Sequence, residues 1–417
     1  MNLVRTSLLN GIAVFVRMLS LLGINKLLAI YVGPSGYAVV GQFQNAIQMI
    51  TTFGSGAINT GVTRYTAEYN VEGRREQQLK IWQTAGMISL VGSFITAFLV
   101  IFFKSELSIY FLKSADFQNV FIYFGFGLVF FVMNTFLLAI LNGKKEIKRY
   151  VVANISGSIL SVILTYFLSV TWGLSGTLIA LGTYQSVAFF STLIFCRDLP
   201  WFKLSNFFGA VEPGSLKKLS TYTVMALASS VFIPFSQILI RDHLGEKLGI
   251  NYAGNWEAMT RLGSAYLLFI TSTLAVYYLP RLSEISDKNE LKREVLYCYK
   301  IAMPLTVFGA ISLYLLRGHI IALLFTSSFT LMDELFLLHL AGDTVKVAGW
   351  LLGFIVTAKG LFKTYIVSEA IFSFSYYFLV TILIEYLGFK GAALAYLVNY
   401  AGHFVFMFVA LRKLKVI

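Results

Sequence analysis

Charge is scarce in this 417-residue chain, where Asp, Glu, Lys and Arg together make up only 13% of the residues. A water-soluble domain carries about a quarter. With 57% hydrophobic residues and 38 phenylalanines, no soluble fold could keep its apolar side chains off the surface. Cysteine is scarcer still. Cys196 and Cys298 have no CxxC spacing and no nearby histidine, so neither a disulfide framework nor a metal site is indicated, and both are expected as free thiols at cytoplasmic helix ends. Also lacking are HExxH, GxSxG and P-loop patterns and any loop long enough for a catalytic domain. The chain is therefore not expected to be an enzyme, and no cofactor or metal is implied. The net charge of +13 is spread over short interhelical loops rather than gathered in one module, which argues against nucleic acid.

What is present is a succession of apolar runs about 20 residues long, the length that spans a bilayer. Reading runs between polar breaks predicts helices near 7–32, 37–64, 80–103, 117–142, 149–170, 174–196, 217–240, 249–280, 296–316, 335–358, 364–386 and 390–411. The fold class expected is an all-α membrane protein of about twelve transmembrane helices. The N-terminus has a basic start and an apolar run but no small-residue cleavage site, and Arg17 lies inside the run, so it reads as a retained first helix. Most of the 33 Lys and Arg residues fall on one side of this map, among them Arg74, Arg75, Lys144, Lys145, Lys148, Arg149, Lys359, Lys363, Arg412 and Lys413. By the positive-inside rule both termini are cytoplasmic.

The chain also resembles itself at an offset of 213 to 215 residues. Gly36, Gly41, Gln42, Phe43 and Gln44 match Gly249, Gly254, Asn255, Trp256 and Glu257; Lys144, Lys148, Tyr150 and Val152 match Lys359, Lys363, Tyr365 and Val367; Gly173, Gly176 and Ala180 match Gly388, Gly391 and Ala395. Six helices per half makes these parallel repeats, an N-terminal lobe 1–205 and a C-terminal lobe 206–417, with a substrate site expected between them.

Polar groups within the spans narrow the function. Helix 2 carries Gln44, Gln48, Thr51, Ser55 and Asn59 on one face, and helix 8 carries Glu257, Arg261, Ser264 and Ser272. Lipid satisfies none of these, so the stripes either line a wet cavity or bond between helices. Helix 1 adds Asn10, Arg17 and Lys26, helix 10 adds His339, Asp343, Lys346 and Trp350, and helix 11 adds Glu369. A cation at a helix centre costs about 2.5–3.5 kcal/mol on insertion scales, so each needs a reason. Glu257 with Arg261, and Asp343 with Lys346, are one turn apart, and each pair is either functional or a structural salt bridge. His339 with Asp343 is a proton relay or a plain hydrogen bond. Arg17 and Lys26 have no local acid and are the leading cavity candidates, with Arg64 at the cytoplasmic mouth. Helix 7 offers no buried formal charge, only Ser229, Ser230, Ser236 and Gln237. Cations thus exceed clear acids, which points to an anionic cargo and suits phosphate or pyrophosphate. An exporter of organic cations would be expected to show the reverse. Pro234 is expected to kink helix 7, and the Gly54-Ser55-Gly56 segment to serve close packing.

The segments NKLLAIYVGPSGYAVVGQF (25–43), GSGAINTGVTRYTAEY (54–69) and LHLAGDTVKVAGWLLGFIVTAKG (338–360) resemble Wzx-type polysaccharide-unit flippases of the multidrug/oligosaccharidyl-lipid/polysaccharide (MOP) exporter superfamily, the group that includes enterobacterial common-antigen and O-antigen translocases. The likeness runs along essentially the whole chain. It implies a V-shaped, MATE-like pair of six-helix lobes around a cationic cavity lined by helices 1, 2, 7 and 8. The implied cargo is an undecaprenyl-pyrophosphate-linked oligosaccharide, flipped across the bacterial inner membrane by alternating access, with the lipid bilayer and a polysaccharide polymerase and chain-length regulator as partners. Arg17, Lys26, Arg64, Arg261 and Lys346 would then bind substrate, Asn10, Gln44, Gln48, Asn59 and Glu257 would line the cavity, and His339, Asp343 and Glu369 would be coupling or structural groups. Trp256, Tyr266 and Trp350 are candidates for sugar contacts. The alternatives are a cation-coupled multidrug exporter of the same superfamily and a membrane glycan-assembly enzyme.

Overall fold

A computed structural model describes residues 3–285, 287–414 and 416. Among these residues the regular structure is entirely helical: α1 (Leu3–Tyr31), α2 (Gly33–Gly54), α3 (Asn59–Val71), α4 (Arg75–Phe102), α5 (Lys104–Leu112), α6 (Gln118–Gly143), α7 (Ile147–Cys196), α8 (Pro213–Lys247), α9 (Ile250–Thr273), α10 (Leu279–Glu284), α11 (Lys288–Leu315), α12 (Arg317–Leu324), α13 (Phe336–Ala358), α14 (Phe362–Leu387) and α15 (Phe389–Lys413). Nine helical segments among the described residues are long and apolar enough to cross a membrane. The expected twelve are recovered once α7 is divided. Its 50 residues are interrupted at Gly173 (φ 55, ψ −130), a conformation open only to glycine. The other two expected spans are α2 with α3 and α9 with α10, which are too polar or too broken to stand out by hydropathy. Lipid-facing surface is plain where Phe98, Phe126 and Phe308 are 67%, 69% and 73% exposed.

The breaks follow from local chemistry. Gly56 (φ 64) and Ala57 (φ 55) end α2 in left-handed conformations, so Asn59 opens a new helix and does not continue the stripe of Gln44 and Gln48 as a single helix would. The same segment is also a packing site, as expected: a Cβ on Gly92 of α4 would lie 2.7 Å from the Gly54 carbonyl oxygen. Pro234 lies within α8, where it withholds the N–H that Ser230 would otherwise accept. A π-helical turn, Leu274–Tyr278, links α9 to α10. Cys196 ends α7, whereas Cys298 lies well inside α11; both thiols are free and buried.

The internal repeat is visible in backbone geometry. Gly388 adopts φ 59, ψ −140, nearly the values at Gly173. A Cβ on Gly176 would lie 1.8 Å from the Leu168 carbonyl oxygen, and one on Gly391 would lie 2.2 Å from that of Leu383, contacts related by the same 215-residue offset. Lys145 (φ 58) and Gly360 (φ 66) likewise occupy equivalent left-handed positions.

The chain forms two compact units. The first comprises Met1–Ser20 and Gln42–Pro234, and the second Leu21–Gly41 and Phe235–Ile417. The units therefore interleave rather than dividing at 205/206: the hairpin 21–41 is part of the second, and the opening of α8 is part of the first. All three crossings fall inside helices. The first unit is centred on Trp82, Phe136, Ile140 and Phe207, the second on Leu267, Tyr278, Leu351 and Ile355.

Candidate functional site

Helix α9 is the spine of the second unit's polar interior. Glu257 and Arg261, one turn apart, share a face, while Trp256 and Gly263 lie on another. Arg241 precedes Gly249 (φ 110) by as many residues as Glu257 follows it, so the antiparallel α8 and α9 bring the two side chains level. The Arg241 guanidinium donates to Glu257 Oε2 at 2.6 Å and to the Gly41 carbonyl at 3.2 Å. Arg261 Nε donates to Glu257 Oε1 at 2.8 Å. Arg241 and Glu257 are only 4% and 5% exposed. The expectation that α8 carries no buried charge is thus corrected: the predicted helix ended at 240, one residue short of Arg241. Equal spacing about Gly249 was the signal that could have found it.

Close backbone approach makes this triad possible. A Cβ on Gly41 would lie 2.5 Å from the Glu257 carboxylate, and one on Gly254 would lie 1.7 Å from the Pro34 carbonyl oxygen. Two of the matched repeat glycines therefore seat α2 against α9. Arg261 lies 5.6 Å from the Tyr37 ring centroid, and the Tyr37 hydroxyl donates to the Asn25 carbonyl at 2.6 Å. Next to Asn25, Lys26 Nζ donates to the Phe325 carbonyl at 3.1 Å. Among the described residues Lys26 makes no ion pair.

Helix α13 supplies the second group. Asp343, 1% exposed, accepts from the Tyr396 hydroxyl at 2.7 Å and the Tyr266 hydroxyl at 3.2 Å. His339 Nδ1 lies 3.5 Å from its Oδ2, an ion-pair distance without hydrogen-bond geometry, while the imidazole stacks on Tyr396 (4.3 Å between centroids, 12°). The pairing of Asp343 with Lys346 is corrected as well. Lys346 Nζ donates to the Tyr396 hydroxyl at 3.0 Å, so a phenol stands between the two charges. The ammonium sits in an aromatic box, 4.9 Å from the Trp350 and Tyr400 centroids and 5.3 Å from Tyr396. Gly342 admits the Tyr396 ring, since a Cβ there would lie 2.4 Å from it. Sequence reasoning missed Tyr396 and Tyr400; their four-residue spacing on an apolar helix was the available signal, but it is shared by many interfacial tyrosines. Trp256, Tyr266 and Trp350, expected as sugar contacts, are all engaged in these networks, Trp256 edge-on to His339 at 5.4 Å.

The remaining candidates are dispersed. Arg17 is exposed on α1, Gln48 is exposed and Gln44 half-buried on α2. All three belong to the first unit, unlike Lys26, so α1 places Arg17 and Lys26 in different units. The Asn59 amide donates to Thr135 Oγ1 at 3.2 Å, and Arg64 lies over the rings of Tyr65 and Tyr222. Glu369 is half-buried on α14 beside Tyr365. The Asn10 side chain lies outside the described residues.

Chemically, both oxygens of Glu257 and of Asp343 accept from donors of the protein, whereas the hydrogen bonds described for Lys26 and Lys346 go to neutral acceptors. Both ammoniums thus keep donors for a further acceptor, Lys346 with the Tyr396 hydroxyl standing between it and the Asp343 carboxylate.

The family described as polysaccharide biosynthesis protein matches residues 3–286. The lipid III flippases of Escherichia coli (strain K12) and Shigella flexneri are each 28% identical over 408 residues, which span 97% of this chain and 97% of theirs. Among solved structures, a multidrug resistance MATE family transporter of the MOP superfamily in an inward-facing conformation superposes with a TM-score of 0.76 at 16% identity, over 96% of this chain and 99% of its own. A MOP superfamily transporter from Pyrococcus furiosus gives 0.70 at 15% identity, over 97% and 96%. At such identities the likeness is one of fold.

Proposed function

The chain belongs to the polysaccharide biosynthesis protein family, and from that premise we propose that it is a flippase carrying undecaprenyl-pyrophosphate-linked oligosaccharide repeat units from the cytoplasmic to the periplasmic leaflet of a bacterial inner membrane. Both termini would be cytoplasmic, and a polysaccharide polymerase and chain-length regulator would act on the delivered units. One observation carries the reading: the direct partners of Lys26 and Lys346 are a carbonyl, a phenol and aromatic rings, while both oxygens of Glu257 and of Asp343 accept from protein donors. Charge-assisted bonds to a pyrophosphate complete such lysines.

In the proposed cycle the glycan and pyrophosphate enter the polar interior while the polyprenyl tail stays in lipid, and the fold alternates between states open to either side. Arg17, Gln44 and Gln48, exposed or half-buried on α1 and α2, would contribute polar lining. A potential negative inside assists export of the anionic head by about 2.3 kcal/mol per charge per 100 mV. The rival reading, a cation-coupled multidrug exporter, draws on the name of the superposing MATE transporter. It requires a carboxylate available to an organic cation, and the two most buried ones are occupied.

The test is translocation of a fluorescent polyprenyl-pyrophosphate-linked oligosaccharide in proteoliposomes. The expected result is transfer by the wild type and its loss in Lys26→Gln/Lys346→Gln protein that remains folded. Transfer no faster than in protein-free vesicles overturns the function; full activity of the double variant overturns the role of the lysines.

A further inference from the structure

A second cationic feature, which joins Arg64, expected at the cytoplasmic mouth, to a lysine at the opening of α8, lies wholly within the first unit. Helix α3 presents Arg64, Tyr65, Glu68 and Tyr69, with one helical turn from Arg64 to Glu68 and from Tyr65 to Tyr69, and the opening of α8 presents Lys218 and Tyr222 four residues apart. The two helices are held close. A Cβ on Gly61 would lie 2.9 Å from Leu219, and Thr223 Oγ1 donates to the Gly56 carbonyl at 3.1 Å. Tyr65 stacks on Tyr69 (6.0 Å, 27°) and meets Tyr222 edge-on (6.0 Å, 78°). Both cations converge on this tyrosine cluster, Arg64 5.9 Å from the Tyr65 centroid and 5.2 Å from that of Tyr222, Lys218 5.9 Å from Tyr65 and 5.2 Å from Tyr69.

Arg64 has Glu68 one turn away yet makes no ion pair with it among the described residues. It is exposed and positioned by ring faces instead. A guanidinium held by cation–π contact is fixed in place without committing its N–H donors. Lys218 gives one donor to the Tyr69 hydroxyl at 2.6 Å and keeps two. That bond, with smaller contributions from the neighbouring tyrosines and Glu68, raises the Lys218 pKa, so it stays charged. Of the two acids that bear on this region, Glu212 already accepts from Ser215, and Glu68 is exposed. Two pre-positioned cations with spare donors make a receptor for an oxyanion of more than one charge. Lys217 and Lys218 also stand in the opening turns of α8, ahead of its apolar stretch, and basic residues at such a helix end favour the level of lipid head groups.

We propose that Arg64 and Lys218, positioned by Tyr65, Tyr69 and Tyr222, form a docking subsite on the first unit for a lipid-borne phosphate or pyrophosphate. Its assignment to the cargo rests on the flippase reading; the same chemistry is offered by an anionic phospholipid.

The test measures binding of farnesyl pyrophosphate, with farnesol as the uncharged control, to the full-length protein in phosphatidylcholine nanodiscs. Translocation in proteoliposomes is followed in parallel. Arg64→Gln/Lys218→Gln is expected to weaken farnesyl pyrophosphate binding about tenfold or more, with farnesol unaffected, and Arg64→Lys/Lys218→Arg, which keeps both charges, to recover most of it. Equal affinity in the wild type and the Gln variant overturns the subsite, as does a loss that the charge-keeping variant fails to recover. Adding phosphatidylglycerol separates the sources. If it abolishes the difference between wild type and variant, the subsite stands with the phospholipid as its ligand; if the difference persists, the cargo pyrophosphate is the ligand. A wild type that shows the binding difference but translocates nothing leaves the subsite intact and removes the flippase reading, and translocation without any binding difference does the opposite.

Discussion

Inside the first unit, Asn134 donates to Gln185 at 2.6 Å, the Trp82 indole to Thr66 at 2.8 Å, and Ser186 to the Gly127 carbonyl at 2.7 Å. Inside the second, Arg241, Glu257, His339 and Asp343 are all buried. The first unit thus closes its polar interior with neutral groups, and the second with formal charges. The difference is instructive because neutral pairs can be lost together at small cost, whereas each member of a charged group depends on the others. Packing that must only hold its shape is served by the former. Charges retained within a bilayer cost more and need a use, and the proposed function gives Lys26 and Lys346 one.

The contrast can be broken most severely at Glu257. Glu257→Gln removes the carboxylate charge shared by two guanidiniums and should destabilise the protein by about 3–5 kcal/mol, read as a large fall in apparent Tm in detergent; a fall no greater than that from a neutral interior substitution would show that the triad is well hydrated. Gly254→Ala comes next. Its Cβ would meet backbone, the Pro34 carbonyl, rather than a side chain that could swing away, and a cost of about 1–3 kcal/mol is expected, with a wild-type Tm as the contrary result. In the first unit, Asn134→Ala should cost about 1–3 kcal/mol by leaving Gln185 Oε1 without its donor, and Asn134→Ala/Gln185→Leu should recover part of it. A double variant worse than the single would mean that the neutral pair is as interdependent as the charged one. Lys346→Met should lower translocation about tenfold, equivalent to about 1.4 kcal/mol, with little change in Tm; a matching loss of fold would assign the lysine to structure.

The smallest effect lies outside the membrane. Donation from the Ser215 hydroxyl and backbone N–H holds the Glu212 carboxyl below its ordinary 4.5. A depressed pKa contributes stability that is present above the unfolded-state value and lost as pH falls through the folded one. Glu212→Gln should therefore lower the Tm slightly at neutral pH and flatten the acid limb below pH 4.5, the two profiles converging at low pH; an unaltered acid limb would count against the bond.

Much of this was legible in residue order. Apolar run length alone forces spanning helices, because backbone polar groups have no other partner in lipid. The 215-residue repeat was readable because Gly173 and Gly388 occupy a backbone conformation that admits no side chain, so both copies must carry glycine. The i,i+4 spacing of Glu257 and Arg261 likewise dictated their contact. Other features were hidden. Arg241 sat beyond a predicted helix end, since a polar residue late in an apolar run looks the same whether it leaves the bilayer or turns inward to an acid.

The sequence by itself determined the helices, the repeat and the family resemblance, since these depend on local composition and spacing. Tertiary structure decided which charges meet: that Glu257 serves two arginines, that Tyr396 separates Asp343 from Lys346, and that Lys26 and Arg17 on one helix belong to different units. Such contacts join residues up to 299 positions apart, and helix periodicity carries no information over that range.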